Sequence, residues 1–141
     1  WRFGSTPVQA TYSPEQVLSG SQALKLGITT EPDRYSYTSA WQTVTIPAEA
    51  RQATLTAYTF PVSQDWAGRD LQSILILNDR FQVIQRLNSG LSNSQTWEKR
   101  TFDLSYLRGQ TIVVYFGVYN NGYANLPSAM FVDDVSLRWS R

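Results

Sequence analysis

From Thr111 to Tyr119 the chain alternates without a break. Ile112, Val114, Phe116 and Val118 fall on one side, and Val113, Tyr115, Gly117 and Tyr119 on the other. A period of two places successive side chains on opposite faces of a pleated strand, whereas a helix stripe repeats every 3.6 residues. The same period recurs in Leu24, Leu26 and Ile28, in Val44 and Ile46, and in Leu55 and Ala57. Leu71–Leu77 and Val83–Leu87 flank Asn78-Asp79-Arg80-Phe81, which has the composition of a hairpin turn. Trp97–Leu104 and Val132–Trp139 complete the set, the last with a phase slip at Asp133-Asp134. Gly, Pro, Asn and Ser fill the gaps, and no segment sustains a helical period. The pattern predicts an all-β chain of eight or nine antiparallel strands, as a sandwich or barrel.

At 141 residues and 42% hydrophobic composition, the chain is long enough for one domain with a real core. Residues 1–141 are read as that single domain, with no linker and no internal repeat. Its net charge of +1 and scattered arginines give no electrostatic case for nucleic acid or an anionic membrane. There is neither Cys nor His, so thiol–imidazole dyads, Ser–His–Asp triads and Cys/His zinc sites cannot be built. Any metal must take oxygen ligands, which means calcium or magnesium. No apolar run approaches a bilayer span of ~20 residues. The chain opens at Trp1 without a signal peptide, which reads as a processed or excised part of a longer extracellular protein.

In Phe102-Asp103-Leu104-Ser105-Tyr106-Leu107-Arg108-Gly109, a strand ends and one helical turn follows. Asp103 or Ser105 can satisfy free N–H groups there, and Gly109 can end the turn. Asp133 and Asp134 are unusual inside an apolar strand, because acids are poor strand formers. A bulge at a strand edge explains them, with the acid hydrogen-bonded or paired to an arginine. An oxygen-ligand site for a hard cation explains them equally. Neighbours on one strand point to opposite faces, so they do not converge on one bond as glycoside hydrolysis requires. Asp65 and Asp70 sit around a loop, and nothing in the sequence singles them out.

Aromatic residues make up 13% of the chain. Flat rings can stack on sugars while polar neighbours take the hydroxyls. On the Thr111–Tyr119 strand, Tyr115 and Tyr119 flank Gly117, which would leave a shallow trough. Tyr58 lies on the face opposite Leu55 and Ala57. If these strands share a sheet, Tyr58, Tyr115 and Tyr119 line one concave surface, with Trp66 and Tyr123 in loops beside it. The competing reading is that such tyrosines simply pack across strands. Trp1, Trp41, Trp97 and Trp139 are read as packing residues near strand ends.

Three stretches, Ser19–Gly27, Phe102–Ile112 and Val132-Asp133-Asp134-Val135-Ser136-Leu137, occur in an order and at intervals that carry a likeness. Together they resemble the jelly-roll modules of the carbohydrate-binding and galactose-binding-like type. Such modules are appended to secreted prokaryotic hydrolases, peptidases and surface proteins. The resemblance implies a jelly-roll-like antiparallel β-sandwich and a structural calcium ion held by Asp133 or Asp134. Glu15 is the only acid preceding Ser19 that could join them. It further implies a non-catalytic, extracellular or cell-surface module that binds glycan. The alternative is a structural or adhesive module that contacts another surface protein or copies of itself.

Overall fold

The computed structural model describes residues 1–66 and 68–141. Ten strands follow one another: β1 Arg2–Phe3, β2 Thr11–Ser13, β3 Ala23–Gly27, β4 Tyr35–Thr45, β5 Gln52–Ser63, β6 Leu71–Asn78, β7 Val83–Gly90, β8 Glu98–Asp103, β9 Thr111–Asn121 and β10 Ser128–Ser140. They form two antiparallel five-stranded sheets, in the orders β1-β4-β9-β6-β7 and β2-β3-β10-β5-β8. The eight longer strands are those that the alternation predicts. The additional β1 and β2 are too short to show a period.

The core lies between the sheets. Ala40, Ile74, Ile76, Ile112, Val114, Phe116 and Val118 of the first sheet meet Leu24, Leu26, Leu55, Ala57, Met130 and Val132 of the second. Each fully buried large side chain contributes roughly 1.5–3 kcal/mol of apolar transfer. The inward residues of β4 include Ser36 and Thr38, and their hydroxyls have a task. Val8 N–H donates to Ser36 Oγ at 3.1 Å, and Thr38 Oγ1 donates to the Val8 carbonyl at 2.8 Å. The N-terminal segment is thereby laid against the sandwich.

A buried polar network ties the sheets together at one end. Ser128 Oγ donates to Asp70 Oδ2 at 2.6 Å, and Asn121 N–H donates to Asp70 Oδ1 at 3.0 Å. Asn120 and Ser128 exchange bonds of 2.8 and 3.0 Å. Asp65 Oδ2 accepts the N–H groups of Arg69 and Asp70, both at 2.8 Å. Asp70 is fully buried with both oxygens engaged, so this acid is a structural tie.

The turn after β8 forms as expected. Asp103 Oδ1 accepts from the backbone N–H and the hydroxyl of Ser105, and Ser105 Oγ accepts Ala53 N–H. A 3-10 turn runs over Ser105–Leu107, and Gly109 leaves it at φ +78°.

Candidate functional site: an aromatic track on the first sheet

The outer face of the first sheet is set by the register of β4 on β9. Tyr37 lies opposite Tyr119, Ser39 opposite Gly117 and Trp41 opposite Tyr115. Because all are odd-numbered on their strands, their side chains share one face. Six rings then run in a continuous track. Tyr35 meets Tyr119 at 5.8 Å between centroids, and Tyr119 meets Tyr37 at 6.2 Å. Tyr37 meets Tyr115 at 6.5 Å, and Tyr115 stacks on Trp41 at 6.2 Å with the planes 19° apart. Phe81 closes the row, 5.1 Å from Trp41 and 6.0 Å from Tyr115. From Trp41 to Tyr35 the track follows six strand steps, about 20 Å at the usual rise.

The track is braced from beneath. Leu75, Leu77 and Val113 form a second apolar cluster on this face, with Trp41 and Tyr115 packed against it. Burial of Tyr115 pushes its phenol up to about 12, with the hydroxyl of Tyr37 adding to the rise and a hydrogen bond with Ser39 opposing it. Tyr35, Tyr37 and Phe81 remain exposed, Tyr35 to 70%.

The hairpin between β6 and β7 places Phe81. Asn78 Oδ1 accepts the N–H groups of Arg80 and Gln82, both at 2.9 Å, and Phe81 takes φ +65°. That left-handed turn swings the ring over Trp41. Beside it lies an open depression of about 540 Å³ lined by Arg2, Trp41, Thr43, Asp79, Phe81 and Val113. Apolar ring faces with a cation, an acid and a hydroxyl at the rim suit a ligand that is apolar on one face and polar at its edges.

The predicted site residues are distributed as follows. Tyr115 and Tyr119 lie in the track. Tyr58 does not join them, because β5 belongs to the second sheet and Tyr58 faces outward on the opposite side of the sandwich. The expected trough over Gly117 is filled. A Cβ built there would lie 2.9 Å from a Tyr37 ring carbon and 3.0 Å from one of Tyr115. Trp66 is 80% exposed in the loop after β5. Tyr123 lies in the loop after β9, with the Arg69 guanidinium 5.0 Å from its ring centre. That loop abuts the Tyr35 end of the track, where a Cβ on Gly122 would sit 2.9 Å from the Tyr35 nitrogen.

The track also takes in Tyr35, Tyr37, Trp41 and Phe81, which the sequence reading does not single out as site residues. The odd-numbered run Tyr35, Tyr37, Ser39, Trp41 was the signal that would have found the first three. Trp41 lies mid-strand in β4 and not near a strand end, and it does pack, on the outer-face cluster of Leu75, Leu77 and Val113. Trp139 is 43% exposed near the end of β10. Trp1 packs on Phe116 at 5.6 Å and Trp97 on Phe60 at 5.5 Å, as packing residues do.

Asp133 and Asp134 mark a bulge. The β10–β5 register slips between Asp133 and Ser136, and Asp134 takes φ +49°. Asp133 Oδ2 accepts the N–H groups of Leu18 and Ser19 at 3.1 Å each, and its Oδ1 accepts Asp134 N–H at 2.9 Å. Asp134 Oδ1 accepts the Ser19 hydroxyl at 2.6 Å. Glu15 is directed elsewhere, to Lys25 at 2.7 Å. Among the described residues no group of three or more acids gathers as a metal site. Three of the pair's four carboxylate oxygens accept from these donors, and the bulge is explained by the Leu18–Ser19 loop it holds.

The architecture is a jelly-roll β-sandwich, and its structural neighbours are mainly carbohydrate-binding modules. TmCBM61, solved in complex with β-1,4-galactotriose, superposes with a TM-score of 0.69 at 13% identity, over 99% of this chain and 88% of that one. The CBM22-1 xylan-binding domain from Paenibacillus barcinonensis Xyn10C gives 0.53 at 16% identity, over 96% and 82%. The enzymatically active domain of bacteriophage CBA120 tailspike protein 4 gives 0.61 at 13%, over 99% of this chain and 19% of that one. No protein-family model and no curated protein sequence matches the chain. Among the described residues, no helix is long and apolar enough to cross a membrane.

Proposed function

We propose that the chain is a non-catalytic carbohydrate-binding module that acts outside the cell or at its surface. Its glycan lies along the track from Tyr35 to Phe81. The observation that carries this reading is the unbroken row of six rings on one sheet face, ending in a depression rimmed by Arg2, Thr43 and Asp79. A sugar presents an apolar ring face and equatorial hydroxyls, which matches ring faces with polar groups at their edge. A row of ring faces favours an extended chain over a single sugar.

The fold likeness supports the class of ligand, and two neighbours suggest first probes, since they are described with β-1,4-galactotriose and xylan. Affinity electrophoresis in gels containing β-1,4-galactan, xylan or a β-glucan tests the reading. At least one polysaccharide is expected to retard the chain. Trp41→Ala and Tyr119→Ala are expected to weaken that retardation about tenfold each while the fold persists. A chain that ignores every neutral polysaccharide tried, or variants that bind as well as the parent, would sink the proposal.

A further inference from the structure

The outer face of the second sheet carries a depression of its own, an open hollow of about 500 Å³ on the side away from the aromatic track. Thr54 and Thr56 of β5 and Ser136 of β10 form its floor, and Tyr58 stands at one end. The floor is hydroxyl-rich because every second residue of β5 faces outward here. The bulge at Asp133–Ser136 bends β10 beside it.

Two cations border the hollow. Lys99 pairs in register with Tyr58, and Arg138 with Thr54. The ion pairs among the described residues engage Lys25, Arg100 and Arg141, and neither Lys99 nor Arg138 has an acid within 4.0 Å. Asp134 lies at the rim, but its Oδ1 is turned to the Ser19 hydroxyl. Asp103, in register with Thr54, is likewise held by Ser105. Asp133, in register with Tyr58, accepts the Leu18 and Ser19 N–H groups, and the lining of the hollow itself sets two cations, Lys99 and Arg138, against one acid, Asp134.

We propose that this hollow is a second binding site, for a strand of anionic polysaccharide. Its hydroxyls meet Thr54, Thr56 and Ser136, a sugar ring lies against Tyr58, and its acid groups meet Lys99 and Arg138. Thr54 and Tyr58 are four strand steps apart, about 13 Å. The two cations therefore reach acid groups on separate sugar units, which selects a polymer over a single acidic sugar. With the track on the opposite sheet, one copy of the chain would bridge two polysaccharide strands. The proposal does not depend on the track: the two faces share no residue.

The test is electrophoretic retardation by polygalacturonate, read at low and at physiological salt. The parent chain is expected to be retarded, less so as salt rises. Lys99→Gln with Arg138→Gln is expected to lose at least tenfold of the affinity with an unchanged melting temperature. Trp41→Ala, which disables the other face, is expected to retain it. Arg51→Gln with Arg108→Gln controls for charge alone. An equal loss in that control means diffuse attraction and overturns the site. So does the absence of retardation of the parent, or indifference to Lys99 and Arg138. If Trp41→Ala abolishes the binding, the polyanion occupies the track and the second site is again refuted.

Discussion

The ring of Tyr37 lies over Gly117, so close that a Cβ on that glycine would come within 2.9 Å of it. The glycine thus lets β4 lean a tyrosine across β9 and connect the two halves of the track. The neighbours of that missing Cβ are ring edges, and an exposed ring can swing away. Gly117→Ala is therefore expected to cost only about 1 kcal/mol. Gly27 differs: its φ is +85° and its Cβ would strike the backbone of Ser128 and Ala129. Gly27→Ala is expected to cost about 3 kcal/mol. Thermal melts compare the two directly, and equal losses would contradict this ranking.

The Asp133 bulge holds the Leu18–Ser19 loop by accepting two of its N–H groups. Removing an acceptor of two N–H groups costs about 1–3 kcal/mol, so Asp133→Ala should lower the melting temperature by several degrees. The parent should melt at the same temperature with chelator or with millimolar calcium. A rise of several degrees on adding calcium would mean that the folded state binds it and would contradict a bulge held by these hydrogen bonds alone.

Tyr115 carries a pH prediction. Its phenol is pushed from 10.0 to about 12, first by burial. Between those values the unfolded chain releases a proton that the folded chain keeps. Stability from this group is therefore complete below pH 10 and falls as pH rises towards 12, by about 1–2 kcal/mol once solvent screening of this partly exposed ring is allowed for. Alkaline melts of the parent and Tyr115→Phe test this. The variant should lose less stability across that window, and parallel curves would contradict it.

The sheet edges argue against assembly by strand addition. β1 and β2 have two and three residues, β7 has two register slips against β6, and β8 carries Glu98, Lys99, Arg100 and Asp103. Short, bulged and charged edges all resist pairing with another chain. Light scattering over a wide concentration range is expected to show a monomer, and polymers would contradict this expectation.

The parts legible in the sequence were those where apolar alternation is strong. β9 shows it from Thr111 to Tyr119, and the turn at Asp103–Gly109 follows from local hydrogen bonding alone. β4 was read only at its end, because its inward positions include Ser36, Thr38 and Ala40, whose small or polar side chains hide the period. With that half-strand unread, Tyr35, Tyr37 and Trp41 had no face to belong to. Phe81 was legible as a turn residue, but its placement over Trp41 depends on the register of β6 between β7 and β9. The separation of Tyr58 from Tyr115 is likewise a matter of topology. Alternation gives a side chain's face on its own strand, and only pairing tells which sheet that strand joins.

The most direct test is an NMR titration of the isotope-labelled chain with the oligosaccharide of whichever neutral glycan retards it, beginning with β-1,4-galactotriose. The account predicts shift changes concentrated on Tyr35–Thr45, Thr111–Asn121 and the Asn78–Gln82 turn, with Trp41 and Tyr119 among the largest. Changes centred on Tyr58 and the second sheet, or none with any neutral glycan, would contradict it.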